Sequence, residues 1–453
     1  MKLLLLNPPA EQKYVKESRC QHRAAVFQSV YPPLTLAYIA SLTRRDNEIQ
    51  LIDAIGDEIP LMVVEKRVKE FNPNLVIVNT TTPTIDNDLR VIERLKEITN
   101  ARFAIFGVHA THFARELIKS QQVDIVIKKE PEITAHELTK KELRDVKGII
   151  YKENNKVKEN PDREFLTPDE LPFPAWNLVN LENYKMPIKN ESYVLLSTGR
   201  GCPYLCKFCV STSYYGKKFR KRSTDSVIRE IEYVKSLGIR NFFFFVETFT
   251  LDKKFVLELC KEIVKKNLNI KWVCNSRVDT VNQEMLDWMK KAGCWLISFG
   301  IESGDQKILD NVNKGITVEQ SRKAIEMASR TGIATVGHFI FGLPGETKES
   351  IQKTLKLSRE LPLNFAEFYI ATPFPGCELF NDLGIKDYGD INWSEYEYSH
   401  NVISEDLNLQ DVRNRAYREF YLRPGLVLKE LKFLGVRHLP NLIIGGLKFL
   451  STI

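Results

Sequence analysis

Short apolar runs alternate with amphipathic helical stretches along most of this chain, and that alternation restricts the fold more than any other feature. It occurs in two blocks. In the first, LLLL (3–6), IQLIDA (49–54), LVIVNTTT (75–82), RFAIFG (102–107) and DIVIKK (124–129) read as strands. Between them, PPLTLAYIASLTRR starts a helix after Pro32 and Pro33, and MVVEKRVKEF is amphipathic and closed by Asn72-Pro73. IDNDLRVIERLKEI and HFARELIKS complete the helices. Buried runs separated by helices predict an open parallel sheet covered on both faces. Residues 1–145 are therefore expected to form a doubly wound, Rossmann-like α/β domain, with ligands beyond the carboxyl ends of its strands.

A proline-rich stretch, LTPDELPFPAWNLV (166–179), marks a linker placed at residues 146–190. The second block opens with the strand YVLLST. Helix–strand pairs follow, with strands FFFFVE, IKWVCNSR, WLISFGIE, ATVGHFIFGLP and AEFYIATPFPG. Gly238, Gly293 and Gly332 stand where helices stop. Six such units predict a partial (β/α)6 TIM-type barrel over residues 191–385, open on one side, with its site at the carboxyl ends of the strands. Residues 386–453 lack the strand pattern and are expected to form a small, mainly helical segment.

The charge balance narrows the partners. Lys and Arg number 65 against 58 Asp and Glu, interspersed, for a net +7, which argues against an obligate nucleic-acid binder. The longest apolar runs fall far short of a membrane span. MKLLLLNPP resembles a signal sequence only superficially: it breaks at Asn7-Pro8-Pro9 with no small-residue cleavage site following. A cytoplasmic protein with reduced cysteines is expected.

RGCPYLCKFCV (200–210) spaces Cys202, Cys206 and Cys209 as C-x3-C-x2-C. Structural zinc takes four ligands, usually as two C-x2-C pairs, and no fourth Cys or His lies nearby. Three thiolates on an iron–sulfur cubane leave one iron without a protein ligand, and an open position makes a metal site catalytic. A zinc site completed from a distance, or plain buried thiols, are the alternatives. Cys20, Cys260, Cys274, Cys294 and Cys377 have no motif spacing.

With Phe208 just before the last cysteine, this loop resembles that of the radical S-adenosylmethionine (radical SAM) superfamily, over about residues 190–385. Further landmarks recur in order: FFFFVETF with Glu247, NSRVD with Ser276 and Arg277, FGIESG with Glu302 and Ser303, FIFGLPGET with Gly342 and Pro344, and ATPFPG with Thr372. The resemblance implies a [4Fe–4S] cluster on Cys202, Cys206 and Cys209. S-adenosyl-L-methionine would bind the open iron, surrounded by Phe208 and those landmark residues. One-electron reduction would cleave it to a 5′-deoxyadenosyl radical that abstracts hydrogen from an unactivated carbon. Arg277 and Glu302 equally suit a structural ion pair at the barrel rim, and His338 reads as a core histidine.

The first block resembles the cobalamin-binding subgroup of these enzymes in LLLNPP, PPLTLAYIASLTRR, LIDA and FGVHATHFARELI followed by DIVIKKEPE. Phe106 stands where the subgroup often has glycine, and Lys129-Glu130-Pro131-Glu132 replaces a Gly-Glu-Gly-Glu run near the corrin edge or the domain contact. The resemblance implies cobalamin held by Pro8, Pro9, Thr80, Thr81, Thr82, Gly107, His109, Ala110 and Thr111. Asp53-Ala54-Ile55-Gly56 lacks the cobalt-ligating histidine of the D-x-H-x-x-G type, so no ligand is expected from it.

Together these resemblances imply a cobalamin-dependent (class B) radical SAM C-methyltransferase. Its substrate would be a small molecule, natural product or lipid, and its electron would come from an external reductant such as flavodoxin or ferredoxin. No residue is assigned a catalytic acid or base role. A cobalamin-linked cyclase or rearrangement enzyme is the principal rival. A methylthiotransferase would need more N-terminal cysteines than Cys20, and an electron-transfer protein a fourth ligand such as Cys260, Cys274 or Cys294. Near the C-terminus, Arg413, Arg415, Arg418 and Arg423 interleave with Tyr417, Phe420 and Tyr421. This pattern predicts an amphipathic helix capping the open barrel, with a weak membrane-surface or partner contact as the other reading.

Overall fold

The computed structural model describes residues 1–24, 30–187, 189–383, 388–400, 402 and 407–426. The first block supplies β1 (Lys2–Asn7), β2 (Tyr14–Glu17), β3 (Cys20–Arg23), β4 (Glu48–Asp53), β5 (Leu75–Asn79), β6 (Arg102–Phe106), β7 (Ile125–Ile127), β8 (Ile149–Glu153) and β9 (Lys156–Glu159). Seven of these form one sheet in the order β4-β1-β5-β6-β7-β8-β9, while β2 and β3 pair as a separate hairpin. The leucines of β1 show why it is wound on both faces. Side chains alternate along a strand. Leu3 and Leu5 therefore meet Leu36, Ile39 and Ala40 of helix Leu34–Thr43. Leu4 and Leu6 meet the opposite layer, built on Val64, Val68, Val91 and Ile92 of helices Leu61–Phe71 and Ile85–Lys96.

The expected boundary at 145 is too early. β8 and β9 lie inside the predicted linker and extend the sheet as antiparallel strands. Ile149 and Ile150 pair with Ile127 and Val126, burying an apolar run. Asn154 and Asn155 both take positive φ (51° and 58°), the conformation that a two-residue hairpin turn requires. The crossing that follows is tied to the first domain: Ala175 N–H donates to the Ala37 carbonyl (2.9 Å), and Tyr184 Oη donates to Asp53 (2.6 Å).

The second block supplies β10 (Tyr193–Leu196), β11 (Gly199–Arg200), β12 (Arg220–Lys221), β13 (Asn241–Phe244), β14 (Lys271–Ser276), β15 (Cys294–Glu302), β16 (Ala334–Phe341) and β17 (Phe365–Ile370). Six are parallel in the order β10-β13-β14-β15-β16-β17, an open barrel because β10 and β17 stay unpaired to each other. Ser223, Asp252, Asn282, Thr317 and Thr347 each cap the helix that follows, accepting a backbone N–H on the side chain.

Of the third segment, Tyr388–Asp390 and Trp393–Glu395 are single 3-10 turns, not regular helix. Helix Leu409–Tyr421 lies along β17, with Phe420 fully buried and Tyr421 Oη donating to the Ala366 carbonyl (2.9 Å). It covers that edge of the barrel as an amphipathic cap. The terminal LIIGGLKFL stretch lies outside the described residues. Among the described residues no helix is long and apolar enough to cross a membrane.

Candidate functional site

β11 leads directly into the cysteine loop. Gly201 takes φ +88°, where a Cβ would stand 2.3 Å from the Lys218 carbonyl oxygen, so glycine is required. Cys202 N–H donates to the Gly216 carbonyl (3.2 Å) and Cys209 N–H to that of Cys206 (3.0 Å). All three thiols are partly buried and border a cavity of about 650 Å³ inside the barrel.

Three cations stand in the same wall. The Arg277 guanidinium stacks 3.5 Å from the Tyr204 ring centroid, with Nη1 3.9 Å from Cys206 Sγ. Asp279 (2.9 and 3.0 Å) and the Lys314 carbonyl (2.8 Å) hold it there. Lys314 Nζ pairs with Glu302 at 2.5 Å, both side chains buried. Arg19, at the β2–β3 turn, pairs with Glu247 at 3.1 Å. Burial pushes the Cys202 thiol up to about 11 and raises Cys206, while Lys314 and Arg277 draw Cys206 back down. Fixed positive charge beside thiolates offsets the charge of an anionic cluster. Three thiols on one short loop, facing a cavity and flanked by cations, fit the donor set of a [4Fe–4S] cluster with one open iron.

The landmark residues divide. Phe208, Glu247, Ser276, Arg277, Glu302 and Thr372 border the cavity. Ser303, Gly342 and Pro344 do not. The Ser303 hydroxyl bonds Thr354 (3.2 Å) and accepts the Asp305 N–H (3.1 Å). Gly342 gives its N–H to Glu346 and is covered by Leu409. Pro344 is exposed, and its carbonyl accepts from Asn311 (3.0 Å). Arg277 and Glu302 do not pair with each other. His338, expected in the core, borders the cavity with Nδ1 3.0 Å from Tyr369 Oη and 3.3 Å from Glu367. Lys314 and Arg19 belong to no motif of the sequence, and Cys20 stands there without motif spacing, yet all three border the cavity. Lys314 follows a helix in a turn that looks solvated, and Asn313 (φ 53°) and Gly315 (φ 68°) curl it inward.

At the carboxyl edge of the first sheet the predicted cobalamin loops are covered. Pro8 is buried, and the Pro9 carbonyl accepts from Asn87 (2.9 Å). Thr80 Oγ1 donates to the Phe106 carbonyl (2.8 Å), Thr81 bonds Thr84 (2.8 Å), and Thr82 N–H donates to Gln21 (2.9 Å). Gly107 has φ +133°, Ala110 is fully buried, and Thr111 Oγ1 donates to the Gly107 carbonyl (2.8 Å). His109 is fully buried beneath Tyr388 (3.0 Å to Oη) and Trp393 (ring centroids 4.7 Å apart). Burial drives its pKa down to about 3, keeping it neutral. Yet Asn7 Oδ1, Gln21 Nε2, Thr82 Oγ1, His109 Nδ1 and His112 Nε2 are buried without hydrogen-bond partners. Orphaned buried atoms gathered at one edge mark a place for a polar ligand. In chemistry they match the amide-fringed rim of a corrin, and in this structure the 388–396 segment lies over them.

Glu130 and Glu132, within the run that departs from the subgroup, join the two domains. Glu130 pairs with Arg200 (3.2 Å) and Arg220 (2.9 Å), and Glu132 pairs with Arg200 (2.5 Å). Arg200 precedes the cysteine loop by one residue, so this buried network holds the loop against the first domain.

The profile of the radical SAM superfamily matches residues 196–358. An uncharacterised methyltransferase of Pyrococcus horikoshii is 33% identical over 449 residues, covering 95% of both chains. The chain belongs to the radical SAM superfamily. An anaerobic magnesium-protoporphyrin IX monomethyl ester cyclase of Cereibacter sphaeroides is 27% identical over 419 residues, 87% of this chain and 68% of that one. Among solved structures, the radical SAM methyltransferase TsrM of Kitasatospora setae, with cobalamin and a [4Fe–4S] cluster bound, aligns with a TM-score of 0.69 at 18% identity, covering 83% of this chain and 76% of that one. That likeness is one of fold: a Rossmann-like domain followed by the radical SAM partial barrel.

Proposed function

We propose that this radical SAM enzyme is a cobalamin-dependent C-methyltransferase. The observation carrying the reading is the chamber itself, in which the three cysteines share a cavity with residues of the first domain's hairpin, Arg19 and Cys20. When bound, the cluster and S-adenosyl-L-methionine supply a 5′-deoxyadenosyl radical for hydrogen abstraction, and cobalamin supplies the transferable methyl group.

The chain's own residues hold and shield. Cys202, Cys206 and Cys209 would hold the cluster through three thiolates, leaving an iron open to the nucleotide. Ser276, Glu302 and Thr372 border the cavity and would offer hydrogen-bonding groups to the nucleotide, with Phe208 beside it. Arg277, Lys314 and Arg19 place positive charge beside the thiols, which would favour a reduced, more negative cluster; the electron would come from an external reductant such as flavodoxin or ferredoxin. The barrel wall keeps water from a reactive carbon radical. The edge formed by Asn7, Thr82, His109 and His112 would receive cobalamin through its unpartnered polar atoms.

A cyclase or rearrangement reading draws support from the relative named as a cyclase. Two measurements separate the readings. Protein made with cobalamin available should carry cobalt and a corrinoid spectrum. With methyl-labelled S-adenosyl-L-methionine, reductant and substrate, 5′-deoxyadenosine and S-adenosylhomocysteine should form together. Deoxyadenosine without S-adenosylhomocysteine overturns methylation and favours cyclisation.

A further inference from the structure

The interior of a closed β/α barrel is filled by layers of side chains. This barrel is hollow. Its cavity is bordered at the top by Glu302 and at the bottom by Leu296, with Ser298 and Gly300 between, which are the alternate residues of β15. Over those six residue steps a strand rises about 20 Å. The neighbouring strands continue the rows: Ser298 stands beside Val336, which stands beside Phe365, and Gly300 beside His338, which stands beside Glu367. On β15 the residues facing the axis between Leu296 and Glu302 are therefore small, where a packed core would carry large ones. Below the His338–Glu367–Tyr369 cluster the wall is apolar, with Phe243, Val273, Trp295 and Phe365. The lower mouth is reached at Leu422, 59% exposed, which borders the cavity with Leu426.

That mouth carries positive charge. Arg418, one turn before Leu422 on the same helix, borders the cavity. Lys189 stands just behind the wall, 4.1 Å from the ring centroid of Trp295, which borders the cavity, and Lys271 and Lys290 act on it electrostatically, with Glu191 opposing them. Burial and those two lysines lower the Lys189 pKa to about 8. An ammonium group held among like charges gains from an added anion.

We infer that the bore admits the chain of an anionic amphiphile, its acidic head at the Lys189 and Arg418 end and its reacting carbon at the cysteine end. The substrate class is then a long apolar chain bearing a carboxylate or a phosphate. This deepens, and rests on, the radical SAM reading above.

The test uses the full-length, anaerobically reconstituted protein and calorimetry with n-alkyl carboxylates, n-alkyl phosphates and n-alkanols below micelle-forming concentrations. Affinity should rise roughly fourfold per methylene, until the chain reaches about 20 Å, then level off. Either acid should bind at least tenfold tighter than the alcohol of equal length, and the tighter of the two identifies the natural head. Lys189→Ala should shrink the acid preference and keep the length dependence. Val336→Trp should abolish the length dependence by plugging the bore. A flat length series, equal binding of acids and alcohols, or a Val336→Trp protein that retains the series overturns the proposal. The same preparations report separately on the reading beneath it. S-adenosyl-L-methionine should change the electron paramagnetic resonance of the reduced cluster. Silence there counts against the radical SAM reading, whereas a changed signal with a flat series counts against the bore alone.

Discussion

Replacing Glu132 by alanine tests whether the domains are held by charge. The Glu132 carboxylate is 1% exposed and lies 2.5 Å from Arg200, itself 6% exposed. At an effective dielectric of about 20, a pair at that distance attracts by ~7 kcal/mol, and the desolvation of both ions offsets part of this. Glu130, 3.2 Å from the same guanidinium, also serves Arg220 and cannot neutralise both arginines. Removing Glu132 therefore strands net positive charge in the interface. Breaking a buried pair in this way costs about 3–5 kcal/mol, which corresponds to roughly 10 °C of melting temperature for a domain of this size. Anaerobic circular dichroism of the cluster-free protein measures it, with iron content after reconstitution as a second readout of the cysteine loop. Glu132→Leu combined with Arg200→Met should recover most of the loss, since an apolar pair of similar volume removes both charges. A loss below about 1 kcal/mol for Glu132→Ala, or a double variant no better than the single, refutes the account.

Replacing Cys202, Cys206 or Cys209 by serine should abolish retention of iron and its visible absorbance, with the fold kept by far-ultraviolet circular dichroism; retained iron would point to other ligands. Gly107→Ala should cost more than about 2 kcal/mol in chemical denaturation, because φ is +133° and the new Cβ would stand 2.1 Å from the Thr80 carbonyl oxygen. Lys314→Met should destabilise by about 3–5 kcal/mol by stranding buried Glu302, and adding Glu302→Gln should restore part of it. Glu17 gives a pH signature. Burial raises its carboxyl from 4.5 to about 7, against the hydrogen bonds from Thr35. Between those values the folded state keeps a proton that the unfolded state has lost, so this contribution is full below 4.5 and falls as pH rises through 7, by up to ~3 kcal/mol. Denaturation midpoints of Glu17→Gln against the parent at pH 5 and pH 8 should show the flatter profile in the variant; parallel profiles would refute it.

Much of the fold could be read in the sequence because both sheets are built of buried parallel strands, and those announce themselves as continuous apolar runs. β9 is hard to read because KVKE is exposed along its whole length, and β8 because its apolar run is only Ile149–Tyr151 before Lys152 and Glu153; the paired asparagines between them are the one hairpin signal. The site was legible where the chain itself clusters chemistry, as in the cysteine loop. It was less so where function depends on which way one side chain turns. Gly342 and Pro344 follow β16 but lie under Leu409 or in solvent, whereas His338 on the same strand faces the bore. Lys314 and Arg19 reach the chamber through turns whose positive-φ residues, Asn313 and Ser18, carry no special mark in a single sequence.

The chamber wall is finished by pieces from opposite ends of the chain. Arg19, Cys20 and His22 come from the hairpin after the first strand, and Tyr417 and Tyr421 from the last described helix. Neither belongs to the strands that carry the cysteines. Exchange of these two patches between relatives would therefore redirect which compounds are accepted while the cysteine loop itself stays untouched, and loss of either patch would spring a leak in a vessel that has to stay dry.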